Sequence, residues 1–124
     1  MRESMKIFDS FVWIEYFAGT ERGRKVKNIV DDAEIIYTPS ICLTEIKAKY
    51  LREGRDPTER VDFMERRSII ISIDKEVALK AAEVKTEHKL HTIDALIYTT
   101  ASVKGGELVT GDVHFKGLPN VTMI

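Results

Sequence analysis

A single cysteine, Cys42, is the only thiol in this chain, so no intrachain disulfide can form and a reducing compartment is expected. Prolines number three, and no Pro/Gly-rich linker, internal repeat or low-complexity tract divides the sequence. One domain over residues 1–124 is therefore expected, long enough to bury a real core. Long apolar runs are missing too. The longest candidate, IFDSFVWIEYF, is broken by Asp9 and Glu15, which argues against a membrane span or a signal-peptide core and makes the cytoplasm the expected location. Glutamine is absent while Glu, Lys and Arg abound, a composition that leans toward a heat-adapted source. There is no excess of positive charge: the formal net charge is −1, which by itself does not mark a nucleic-acid binder. No G-x-S-x-G elbow, P-loop or G-x-G-x-x-G turn occurs, so hydrolase-triad and nucleotide-fold readings lack their anchors.

What is present describes a soluble globular chain, 44% hydrophobic and 31% charged. The basic residues are unevenly placed, with Arg22, Arg24, Lys25 and Lys27 in one cluster and Lys47, Lys49, Arg52 and Arg55 in another. Either cluster suits an ordinary solvated helix face or an arm beside an acidic pocket. Short apolar runs suited to buried strands fall at Lys6–Phe8, Glu34–Tyr37, Ile69–Ser72, Glu107–Val109 and Val121–Met123.

Helical periods fill the intervals. The first ends at Gly19 and the second runs from Arg22 to Asp31. Thr38-Pro39 reads as a hydroxyl cap followed by a first-turn proline, opening a helix to about Arg52. Asp56-Pro57 starts another, reaching roughly Arg66; Asp74 caps a helix to about His88; Thr92 caps the last, which stops at Gly105-Gly106. Alternation of this kind predicts an α/β fold, a parallel sheet of about five strands between helical layers.

Four acids stand out against this pattern. Asp9 and Asp112 each lie just past an expected strand end, where parallel α/β sheets bind ligands. Asp is also a favoured turn and cap residue, so each has a structural reading as well. Glu45 shares a helix face with Ile41, Ala48 and Arg52, although Lys49 offers it a surface partner at i+4. Asp94 shares a face with Ile97, Tyr98 and Ala101, although an acid in a first turn also suits the helix dipole. Taken together they are more specific. Two carboxylates about 5 Å apart repel by roughly 3 kcal/mol at an effective dielectric near 20. Mg2+ or Mn2+ removes that conflict, because hard cations prefer oxygen ligands, and such an ion activates water for phosphodiester chemistry.

Other groupings are weaker. His88 and His91 lie three apart with no cysteine or third histidine nearby in sequence, a poor zinc pattern. Cys42 sits in an apolar helical stretch and reads as a packed core thiol. Trp13 reads as core, with base stacking by Trp13 or Tyr16 the alternative.

Across IFDSFVWIEYF, TPSICLTEIKAKY, HTIDALIYTTA and LVTGDVHFKGLPNV, the chain resembles the PIN-domain ribonucleases, and most of all the VapC-type toxins of prokaryotic toxin–antitoxin pairs. The resemblance covers nearly the whole chain and rests on the order and spacing of these blocks. It implies a three-layer α/β/α fold and a metal-dependent endoribonuclease leaving 5′-phosphate and 3′-hydroxyl ends. Asp9, Glu45, Asp94 and Asp112 match the family's catalytic, metal-holding acids, Ser10 its small hydroxyl, and Thr110 the hydroxyl of its T-x-D motif, as an outer-sphere or phosphate contact. It further implies a homodimer, an RNA substrate, and a small DNA-binding antitoxin that lays a helix or tail over the active-site groove. Two positions depart from the pattern: His114 stands where many relatives carry another acid, and Phe11 replaces a commoner small polar residue. The rival readings are an RNA-processing PIN nuclease without an antitoxin, a PIN-like module that binds without cutting, and a receiver-like signalling domain. The receiver-like domain requires a paired acid beside Asp9 and a lysine just past the last strand, neither of which is present.

Overall fold

Five short strands in wholly parallel register organise the protein, whose computed structural model describes residues 5–124. They are β1 (Lys6–Phe8), β2 (Ile36–Pro39), β3 (Ile69–Ile71), β4 (Glu107–Thr110) and β5 (Val121–Met123), in the order β3-β2-β1-β4-β5. Six helices connect them: α1 (Ser10–Ala18) and α2 (Glu21–Asp31) after β1, α3 (Ser40–Arg52) and α4 (Thr58–Arg67) after β2, and α5 (Lys75–His88) and α6 (Thr92–Lys104) after β3. The chain steps outward from β1 to β3 and then returns to lay β4 against the other side of β1. Because parallel crossovers are right-handed, this reversal sends the first four helices to one face and α5 and α6 to the other. The packing agrees, with α1 against α2 and α3, and α5 against α6. This is the α/β architecture expected from the alternation of apolar runs and helical periods.

The core runs through the sheet's centre. Ile7, Phe8, Leu108 and Val109 of β1 and β4 are buried together with Val12, Trp13, Ile46, Ile97 and Phe115. Trp13 is fully buried and stacks on Phe17 at 5.6 Å, so base stacking is not open to it. Its indole N–H donates to Thr38 Oγ1 at 3.0 Å, and that hydroxyl also pairs with Ser68 Oγ at 2.8 Å. This network corrects one sequence expectation. Thr38 does not cap α3; it lies inside β2 with its hydroxyl turned into the core, Pro39 ends the strand, and α3 has no side-chain cap. A buried indole N–H without a partner costs about 1–3 kcal/mol, more than a typical cap contributes. The strand accordingly occupies residues 36–39 rather than 34–37. Thr92 likewise opens α6 as its first residue, with His91 in the cap position and no side-chain cap bond. Asp74 does cap α5, accepting from Val77 N at 2.9 Å.

Arg67 closes the seam between α2 and β2. Its guanidinium donates to the carbonyls of Ile29, Val30, Asp32 and Glu34, four acceptors that the turn between these elements leaves without partners. Among the described residues no helix is long and apolar enough to cross a membrane.

Gly23 sets the approach of α2 to α1. A Cβ placed there would lie 2.1 Å from Glu15 O and 2.8 Å from Tyr16 N, both backbone atoms that cannot swing aside. Helix propensity favours alanine by about 1 kcal/mol. The clash is the larger effect, because relief requires one helix to move off the other. Gly23→Ala is expected to lower stability by about 2 kcal/mol or more in urea unfolding; a neutral or stabilising result would show that the two helices are not locked.

Candidate metal centre

The four acids singled out in the sequence come from separate segments and face one end of the sheet. Asp9 follows β1 and Asp112 lies two residues beyond β4, and β1 and β4 are neighbours at the point where strand order reverses. There the adjoining loops depart to opposite faces and leave a crevice, the usual ligand position in open parallel sheets. Glu45 enters from α3 and Asp94 from the first turn of α6.

Asp9 is the buried member, 3% exposed. Its Oδ1 caps α1 by accepting from Val12 N at 2.9 Å, and its Oδ2 accepts from the Thr110 hydroxyl. Thr110 Oγ1 in turn accepts from Asp112 N at 3.0 Å, so one hydroxyl ties the ends of β1 and β4 together. Ser10, next to Asp9, donates to Glu45 Oε1 at 2.5 Å. Lys49 pairs with Glu53 and not with Glu45, which removes the surface ion pair as the reason for an acid at position 45. On the far side, Asp112 Oδ1 accepts from His114 N at 2.9 Å, and His114 Nδ1 lies 2.9 Å from Asp112 Oδ1 and 3.9 Å from Asp94 Oδ2. Ligand atoms of Asp94, Asp112 and His114 all fall within 4.8 Å of one another.

The electrostatics follow from burial first and from the neighbouring charges second. Burial pushes the Asp9 carboxyl up to about 7, partly opposed by the hydrogen bonds from Thr110 and Val12 and reinforced by the charges of Asp112 and Glu45. Asp94 is also raised, first by burial and then by Asp112, with His114 and His91 pulling the other way and Glu45 adding a small upward push. Each of these two carboxyls therefore feels both Asp112 and Glu45. Cys42 lies close beneath, fully buried, its thiol pushed far up by burial and in contact with Ser10; it is a core thiol and not a nucleophile.

A family model described as PIN domain matches residues 6–120. The chain belongs to the PIN-domain family. No curated protein matches it in sequence. Solved structures share the fold of this PIN domain. A chain of a toxin–antitoxin complex from Klebsiella pneumoniae is 23% identical with a TM-score of 0.81, over 95% of this chain and 96% of that one. VapBC2 from Rickettsia felis, bound to a DNA fragment from its promoter, is 18% identical with a TM-score of 0.74, over 97% of each chain. The sarcin-ricin-loop-cleaving toxin VapC20 of Mycobacterium tuberculosis is 16% identical with a TM-score of 0.76, over 94% of this chain and 96% of that one.

Within the PIN domain the donor set suits a hard divalent cation: carboxylate oxygens, two of which, on Asp9 and Asp94, are held back from ionising first by burial and then by the neighbouring acids. Asp9 and Asp112 each cap the helix that follows them, as their structural reading expects. His114, expected at the site only as a departure from the family's acid, and His91, which sequence spacing did not place there, both join it. His114 stands between Asp94 and Asp112, and His91 packs its ring edge-to-face on His114 at 5.8 Å. His88, grouped with His91 by spacing, instead faces Tyr98 at 6.1 Å. Phe11 fits because Gly111 has no side chain: a Cβ there would meet the Phe11 ring at 2.2 Å. The Arg22 guanidinium lies over that ring, 5.6 Å from its centroid.

Proposed function

We propose that this PIN domain is a metal-dependent endoribonuclease, the toxin of a VapBC-type toxin–antitoxin pair. The observation that carries the reading is that Asp94 and Asp112 bring ligand atoms together near the ends of β1 and β4, where Asp112 and Glu45 also bear on the charge of Asp9 and Asp94, in a chain of the PIN family. These carboxylates are the catalytic, metal-holding set. A Mg2+ or Mn2+ ion bound by them supplies a polarised water and neutralises charge on the scissile phosphate.

The chain's own residues fix the geometry. Thr110 keeps its proton on the hydrogen bond to Asp9 Oδ2 and so aims Oδ1 and Oδ2 in set directions. Ser10 does the same for Glu45, holding Oε1 through its hydroxyl and leaving Oε2 free for the ion or its waters. Asp112 is steadied by the backbone N–H of His114. Attack of water on phosphorus breaks the bond to the 3′ oxygen, leaving a 3′-hydroxyl and a 5′-phosphate. Exposed cations of α2 and α3 bind the flanking phosphates. Arg22, Arg24, Lys25, Lys47 and Arg52 serve there, while Lys27 and Lys49 are held by Asp31 and Glu53. Binding of RNA is accordingly salt-dependent.

A cytoplasmic setting, a homodimer and a small DNA-binding antitoxin partner complete the proposal. The support for the partner is that solved structures sharing this fold include a chain of a toxin–antitoxin complex and chains of VapBC and FitAB bound to DNA. The receiver-like alternative is set aside by the family match, and retention of all four acids argues against a binding-only module, which the cleavage assay decides. The test is incubation of the pure chain with structured RNAs under Mg2+, under Mn2+ and under chelator. Discrete cleavage in either ion, lost on chelation, is expected. Cleavage unaffected by chelator would overturn the metal-dependent reading, and the lack of any cleavage would favour the binding-only module.

A further inference from the structure

We propose that His114 is itself a ligand of the metal centre, and that its imidazole biases the site away from Mg2+ toward first-row transition ions such as Mn2+. The inference rests on the nuclease reading only in placing a cation among these carboxylates. The geometry is that of a shared ligand shell. Bonds of about 2.1 Å to one ion separate neighbouring ligand atoms by about 3 Å and opposed ones by about 4.2 Å. His114 Nδ1 stands 2.9 Å from Asp112 Oδ1 and 3.9 Å from Asp94 Oδ2, so all three atoms suit a common centre.

A cap for Asp112 does not account for this placement. Asp112 Oδ1 already receives the backbone N–H of His114 at 2.9 Å. The His114 side chain is 59% exposed, where one more screened hydrogen bond adds little. Yet the ring faces two half-buried carboxylates, and His91 packs against it edge-to-face. A nitrogen donor also adds a ligand without adding a fifth anion to a cluster whose charges already oppose one another.

The chemical consequence is selectivity. Mg2+ demands oxygen ligands and takes imidazole poorly, whereas first-row transition ions accept nitrogen. A site with three aspartates and a glutamate alone would not discriminate on this ground. With His114 in the shell, it does.

The test uses the full chain without RNA. Mn2+-loaded wild-type protein is expected to show modulation from a directly bound nitrogen in pulsed EPR, and His114→Ala to lose it while still binding Mn2+. In a competition titration, His114→Asp is expected to release Mn2+ at about tenfold lower Mg2+ than wild type, since an oxygen donor in place of nitrogen removes the preference for transition ions. Nitrogen modulation absent from wild type, or surviving in His114→Ala, overturns the inference. So does an unchanged Mg2+ requirement in His114→Asp. Failure of wild type to bind Mn2+ at all, or equal binding by Asp94→Asn, overturns the metal-centre reading as well, so the two failures are told apart.

Discussion

Asp9→Asn will reduce RNA cleavage by on the order of a thousandfold and, at pH 8 in chelator, will make the protein more stable than wild type. The two effects have one cause. Asp9 is nearly fully buried, and burial raises its carboxyl from 3.8 to about 7. In the unfolded chain the same group ionises near its ordinary value. Between those two values the folded state holds a proton that the unfolded state has released. Stability therefore falls as pH rises through this window, and above about 7 the whole penalty is present. Asparagine keeps the cap to Val12 through its carbonyl and offers Thr110 a hydrogen bond, but it has no charge to desolvate. The margin of Asp9→Asn over wild type is expected to be small near pH 4 and to grow to a few kcal/mol by pH 8, measured by urea unfolding. Adding Mn2+ should narrow or reverse the difference, since wild type gains more from binding. A variant less stable than wild type at pH 8 in chelator would mean that the buried charge is not the dominant cost.

Asp94→Asn is expected to lose cleavage to a similar extent while its stability stays close to wild type. Two small effects on stability oppose each other. An acid in the first turn of α6 favours the helix dipole by about 0.3–1 kcal/mol, and that is lost. Repulsion from Asp112, which helps raise the Asp94 carboxyl, is relieved. Activity depends on neither. What the variant removes is a carboxylate whose Oδ2 lies 3.9 Å from His114 Nδ1, in the cluster with Asp112 and His114. Full cleavage by Asp94→Asn in a metal-replete assay would show that this carboxylate does not hold the ion.

The fold was largely legible because strands buried on both faces are short apolar runs, and the helices between them carry clear periods and stops such as Gly19 and Gly105. Its errors came from residues whose local preference was overruled by the core. Thr38 looks like a cap, yet the Trp13 indole 25 positions away claims its hydroxyl, and β2 slides two residues toward the carboxyl end as a result. Thr92 has the right chemistry for a cap and the wrong position, because His91 takes the turn. The acids were visible because each sits where a strand ends or on an apolar helix face. How they connect was not. The bonds from Thr110 to Asp9 and from Ser10 to Glu45 join segments 101 and 35 residues apart, a distance no local pattern reports. His91 and His114 were missed as a pair for the same reason: spacing along the chain linked His91 to His88, and only the return of the chain past β4 brings His114 to it.

Asp9, Glu45, Asp94 and Asp112 are proposed to share one cation. Anomalous diffraction from a crystal of the wild-type chain soaked in Mn2+ addresses it most directly. The predicted result is a strong peak in the crevice between the ends of β1 and β4, within bonding distance of carboxylates from at least three of these four residues. A Mn2+ peak found only elsewhere on the surface, with these four side chains left bare, would contradict the account.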